Sequence, residues 1–209
     1  MQNDQDQVQF SQLLWLSIGL LLLSVALTYD HDYTWSWIGS IGFLSVPLGA
    51  VGAVVLFYVP VVLISHRLLR LQEFYSLMEQ LHGMTCNLTW PQIIILSALA
   101  GLGEELLFRG FAQSWLLNTI GVHTAIVITS LIFGLLHAMT LYYFLFAFAL
   151  SLGFGVVFHA SESMLLVVTI HAVYDVIALG VIAKYPQWVG VLPTRRGGDS
   201  DKNEKQLKL

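Results

Sequence analysis

The chain has 209 residues, 56% of them hydrophobic and 11% charged, with a formal net charge of −4 and a mean hydropathy of +0.74. Soluble domains carry roughly 25% charged residues, so this composition excludes an ordinary water-soluble domain. It points to an all-α fold, a polytopic membrane helical bundle with about six transmembrane helices, for which nucleic acid is not an expected partner.

A bilayer core about 30 Å thick takes about 20 helical residues, and six apolar runs meet that test. They are 10 to 29, 38 to 64, 92 to 117, 121 to 139, 141 to 158 and 163 to 183, the fifth being the least marked. Runs such as Leu20 to Leu23 fit helices only, and the period-two alternation of an outer-membrane barrel is missing. The first run has neither a basic flank nor an obvious cleavage site, so it reads as a mature span. Arg67 and Arg70 follow the second run; Lys184, Arg195, Arg196, Lys202, Lys205 and Lys208 follow the sixth. Six spans put both basic segments on one side, and the positive-inside rule then makes both termini cytoplasmic. The expected location is a bacterial inner (plasma) membrane.

Between the second and third runs, Leu68, Leu71, Tyr75 and Met78 recur at helical spacing, which predicts an interfacial amphipathic helix ended by Gly83. Thr89, Trp90 and Pro91 then read as an N-cap, an aromatic anchor and a first-turn proline. The lone Cys86 allows no internal disulfide. The organisation is therefore 1–90, two N-terminal spans and the interfacial helix; 91–185, a membrane core; and 186–209, a polar tail expected to be disordered.

Ionised side chains at membrane depth are costly and usually mark a reaction site, an ion path or a buried pair. The third run carries Glu104, Glu105 and Arg109, just after the small residues Ser97, Ala98, Ala100, Gly101 and Gly103, which let helices approach closely. Glu105 and Arg109 are i and i+4 and can pair, most simply as a structural ion pair. Glu104 is turned about 100° away, so the two glutamates should do different jobs. Phe133 and His137 share a face of the fourth run, and His171 and Asp175 a face of the sixth. A rise of 1.5 Å per residue, counted from Ser97, puts Glu104 roughly 10 Å deep, with His137, Asp175 and His171 on the order of 6, 12 and 18 Å from the same boundary. They can converge in the cytoplasmic half. Each motif alone is equally well explained by packing, and His31, His66, His82, His123 and His159 need no more than a solvated or interfacial role.

Glu104 to Gly110, then Phe133-Gly134-Leu135-Leu136-His137, then His171-Ala172-Val173-Tyr174-Asp175 together resemble the CAAX protease and bacteriocin-processing (CPBP, or Abi) family of intramembrane endopeptidases. The resemblance covers roughly residues 92 to 183. It implies hydrolysis of a peptide bond in a membrane-embedded or lipid-modified peptide, prenylated or of leader type. It further implies that Glu104 and His137 activate water, that His171 and Asp175 act at the oxyanion, and that Glu105 and Arg109 support them. Asp175 departs from an oxyanion donor, because an ionised carboxylate accepts hydrogen bonds and repels an oxyanion. No His-Glu-x-x-His motif occurs, and a divalent metal such as zinc is left open, with Glu104, His137, His171 and Asp175 as ligands if one is bound.

Two other readings use the same residues differently. An ion- or proton-coupled transporter would use them as a relay, although no repeat or paired broken helices are visible. A non-catalytic immunity or scaffold protein would keep them for packing. Substrate and oligomeric state are not written in the sequence.

Overall fold

The computed structural model describes residues 2–29, 36–68 and 72–191, with side chains described over 10–29, 36–56 and 72–191. The described residues are helical apart from turns and one isolated backbone bridge between Ser36 and Ser163. The helices are α1 (Gln2–Tyr29), α2 (Ser45–Leu68), α3 (Gln72–Thr85), α4 (Trp90–Glu105), α5 (Ser114–Ile120), α6 (Val122–Leu136), α7 (Leu141–Ser161) and α8 (Met164–Lys184). Six apolar rods, with α4 and α5 joined as one, therefore fall where the six runs were expected. Three of them, Phe10–Tyr29, Leu141–Ser161 and Met164–Lys184, are long and apolar enough to cross a membrane. The fifth run, the least marked in the sequence, is one of the three.

Local chemistry explains where the rods start and stop. Thr89 opens α4, its backbone N–H donating to Gln92 Oε1 at 2.8 Å, with Pro91 in the first turn as expected. Gly121, at φ +80°, breaks the chain between α5 and α6. Thr140 and Ser163 cap α7 and α8 through their hydroxyls. A helix forms there as α3, but Gly83 lies inside it and the helix runs on to Thr85. The second run also starts later than its hydropathy suggests, because residues 36–44 turn back to bond the α7–α8 junction: Leu165 N–H donates to the Trp37 carbonyl at 2.8 Å.

Helix α8 is the hub, packed between α2 and α4 and touching α3 and α7. Small residues make this possible. A Cβ on Gly49 would come within 2.8 Å of the Thr169 side chain, and one on Gly101 within 2.9 Å of the Ala172 backbone nitrogen. Gly103 serves the other side of α4, where its carbonyl accepts from the Ser24 hydroxyl of α1 at 2.8 Å.

The third run is not one regular α-helix. Leu106–Gln113 winds as a π-helix, and the Ser114 hydroxyl donates to the Arg109 carbonyl five residues back at 2.8 Å. Such wide turns recur at functional sites, because the extra residue re-aims side chains. At the other end of the chain, Pro186–Val189 forms a 3-10 turn and Val191 is buried against Leu77, Met78 and Ile182, so order continues past the expected tail boundary at 186. Residues 192–209, with most of the tail, and the side chains of Arg67 and Arg70 lie outside the described residues. The orientation argument rests on them.

Candidate active site

Glu104, His137, His171 and Asp175 all line one cavity of about 340 Å³, with walls from α3, α4, α6, α7, α8 and the 186–189 turn. Glu104 of α4, His137 at the end of α6, and His171 and Asp175 of α8 are thus brought together. Glu105 and Arg109 lie behind this wall, fully buried. The 100° offset between adjacent glutamates on one helix is what separates the two groups.

Behind the wall the contacts are tight. Arg109 Nη1 donates to Glu105 Oε1 at 3.3 Å, and Arg109 Nε approaches Glu105 Oε2 at 3.2 Å, an ion contact without hydrogen-bond alignment. Arg109 Nη2 donates to both the carbonyl and the hydroxyl of Ser151 on α7, each at 2.8 Å. Its guanidinium lies 5.6 Å from the ring centres of Phe133 and of Phe154, so aromatic faces replace water around the charge. The expected pair is present, and it also reaches a residue not anticipated for it. His171 Nδ1 lies 2.7 Å from Glu105 Oε1, the shortest contact of the site. Since a carboxylate accepts, Nδ1 carries the proton.

That leaves His171 Nε2 facing the cavity, 3.5 Å from Asp175 Oδ2 and 3.8 Å from Glu104 Oε2. His137, just past the end of α6, has its Nδ1 2.8 Å from the Phe133 carbonyl. A carbonyl can only accept, so Nδ1–H is again the donor and Nε2 keeps its lone pair for the cavity. The imidazole is stacked on Phe133 at 4.4 Å and meets the Tyr143 ring edge-on at 6.1 Å. Both histidines are thus anchored through an Nδ1–H bond, each with Nε2 on the cavity side. Among the described residues no three His, Cys, Asp or Glu side chains are grouped as a metal-binding set, so the four proposed ligands do not form one in this arrangement. No step below is routed through a metal.

Residues 86–177 match the family model described as Type II CAAX prenyl endopeptidase Rce1-like. This segment of the chain is similar to that family. All three motifs, and with them Glu104, His137, His171 and Asp175 of the cavity, fall inside the matched segment. At the family level the Rce1-like match is to CAAX-type intramembrane endopeptidases, in agreement with the three apolar crossing helices of a membrane protein. No curated protein and no solved structure matches the chain.

Several residues that build the site carried no signal of their own. Ser151 is a single hydroxyl in an apolar run, and only the fold shows that it meets Arg109. Helix α3 was expected at a membrane interface, but its Phe74, Leu77, Met78 and Leu81 form a wall of the cavity. His82, for which an interfacial role was sufficient, holds that wall in place: its Nδ1 donates to the Ile182 carbonyl of α8 at 2.7 Å. His123 and His159 are exposed, while His31 and the His66 side chain lie outside the described residues.

Proposed function

We propose that the chain is an intramembrane endopeptidase, hydrolysing a peptide bond of a prenylated or leader-type membrane peptide with a water activated by Glu104 and His137. The observation that supports this most is the division of labour between the glutamates. Glu105 is committed to Arg109 and His171, whereas Glu104 is half-buried and opens on an apolar cavity shared with His137 and His171. A structural ion pair alone would leave no reason for the second carboxylate.

In this reading Glu104 accepts a proton from the water as the water oxygen bonds to the peptide carbonyl carbon, and the carbonyl π electrons move to oxygen. His137 accepts the second hydrogen bond of the same water and so aligns its lone pair with the carbonyl. His171, in its imidazolium form, keeps one N–H on Glu105 and turns the other towards the oxyanion, with Asp175 orienting that edge. When the intermediate collapses, the C–N bond breaks and the proton on Glu104 passes to the amine. The products are a carboxylic acid and an amine. Water expelled from the cavity by the bound peptide strengthens each of these interactions. By its basic segments the protein sits in a bacterial plasma membrane with both termini cytoplasmic.

Comparison of membrane proteomes from cells carrying the wild type and Glu104→Gln tests the reading and finds the substrate at once. The expected result is a small set of membrane peptides that accumulate uncleaved in the variant at equal protein level. Cleavage that persists when Glu104→Gln is combined with His137→Ala overturns it.

A further inference from the structure

In the hydrolase reading the oxyanion has one donor, the second N–H of His171. Further donors must be neutral or positive, and Asp175, a carboxylate, offers none while ionised. Tyr143 lines the same cavity and can supply a second. It lies in the first turn of α7, where its backbone N–H is held by the Thr140 hydroxyl at 3.1 Å, so its position is fixed by the helix cap. Its ring packs against the Leu77, Met78 and Ile182 cluster on one side and stands at 79° to the His137 ring on the other. The phenol lines the same cavity as Glu104, His137 and Asp175.

We infer that Tyr143 is a further catalytic residue, whose hydroxyl donates a hydrogen bond to the carbonyl oxygen as it becomes an oxyanion; this rests on the hydrolase reading above. The phenol gives up no proton in the cycle. It donates a hydrogen bond while the carbonyl π pair sits on oxygen, and the bond weakens again when the C=O re-forms and the amine leaves. A phenol suits the position because it can donate without carrying charge beside two carboxylates. Phe133, stacked on His137, has no such group and serves only to hold the imidazole.

Packing alone would keep a phenyl ring at this position equally well, so removal of the hydroxyl separates the two roles. The full chain is reconstituted in liposomes with two internally quenched probes, a farnesylated peptide with a CAAX end and an unprenylated leader peptide. Tyr143→Phe is expected to lower kcat about 100-fold with KM within about twofold, the size seen for loss of one oxyanion donor. Affinity for a phosphonate analogue of the cleaved probe, which carries the tetrahedral oxygens, should fall by a similar factor. Tyr29→Phe, at the exposed end of α1 and away from the cavity, serves as the control and should stay near wild type. Tyr143→Gln, which restores a neutral donor, should recover part of the loss, and it carries the test if Tyr143→Phe melts early. Wild-type kcat and phosphonate affinity in Tyr143→Phe overturn the inference while Glu104→Gln remains inactive. A wild-type protein that cleaves neither probe overturns the hydrolase reading itself, and Tyr143's role with it.

Discussion

His171 gives its Nδ1 proton to Glu105 Oε1 at 2.7 Å, and this single contact joins the buried charge pair to the cavity. Glu105 is shared: one helical turn away it meets Arg109, and across the α4–α8 seam it meets His171. The imidazole therefore cannot turn without disturbing a fully buried ion pair, which is why Nε2 stays aimed at Glu104 and Asp175. Buried pairs of this kind are weak evidence for stability on their own, since desolvation offsets their attraction. Here the pair also fixes a ring orientation, and that is a reason for such a costly arrangement.

Glu105→Gln keeps the volume but leaves Arg109 as a buried charge without its counter-ion. Removing one partner of a buried pair costs about 3–5 kcal/mol, so a large fall in melting temperature should accompany loss of cleavage. Glu104→Gln should lose cleavage at nearly unchanged melting temperature, because Glu104 lines the cavity and has no such partner to strand. Thermal unfolding of the two variants side by side checks this. Equal destabilisation of both would mean that the two glutamates are not divided as described.

Ser151→Ala removes one of two acceptors from Arg109 Nη2 and leaves the Ser151 carbonyl in place. The expected cost is about 1–3 kcal/mol, that of a buried hydrogen bond to a charged group. Because Arg109 acts on His171 only through Glu105, the loss should appear mainly in kcat, with KM little changed. Ser151→Thr keeps the hydroxyl and should recover most of the rate. Steady-state kinetics with melting curves for both variants decide it.

What could be read from the sequence was what lies within one helix. Glu105 with Arg109, Phe133 with His137 and His171 with Asp175 are each four residues apart, and helical geometry alone puts them together. The six apolar rods were legible for the same reason, since bilayer thickness sets their length. Contacts between helices were not. Ser151 lies 42 residues from Arg109, and the link from Glu105 to His171 spans 66 residues, with no periodicity to announce either. The π-turn after Glu105 was hidden as well, because its composition is that of an ordinary apolar helix. Helix α3 shows a subtler limit: an apolar stripe tells that a face is covered, and leaves open whether lipid or protein covers it.

His82→Ala should loosen that cover. It removes the donor to the Ile182 carbonyl at 2.7 Å and leaves a part-buried acceptor unpaired, at a cost of roughly 1 kcal/mol. No polar group of the reaction is touched. Amide hydrogen exchange should rise over Gln72–Thr85 with α4 unchanged, and KM should rise more than kcat falls, because α3 walls the apolar end of the cavity. Unaltered exchange in α3 would show that the apolar packing of Leu77 and Met78 holds the helix without the clamp.

Gly101→Ala tests the seam itself. The added Cβ would stand 2.9 Å from the Ala172 backbone nitrogen and 3.1 Å from its Cα, and backbone atoms within a helix cannot swing aside as a side-chain tip can. The two helices must separate by several tenths of an ångström, costing about 1–3 kcal/mol as overpacking does. Glu104 and Glu105 lie within one turn of Gly101, and His171 adjoins Ala172, so the separation falls on the 2.7 Å contact between Glu105 and His171. Loss of rate should therefore exceed what the fall in melting temperature alone would cause at the assay temperature. Gly83→Ala provides the comparison, since a Cβ there meets no atom within 4 Å. It should leave both rate and stability near wild type, and a Gly101→Ala protein that behaves the same way would mean that the α4–α8 seam yields without moving the site.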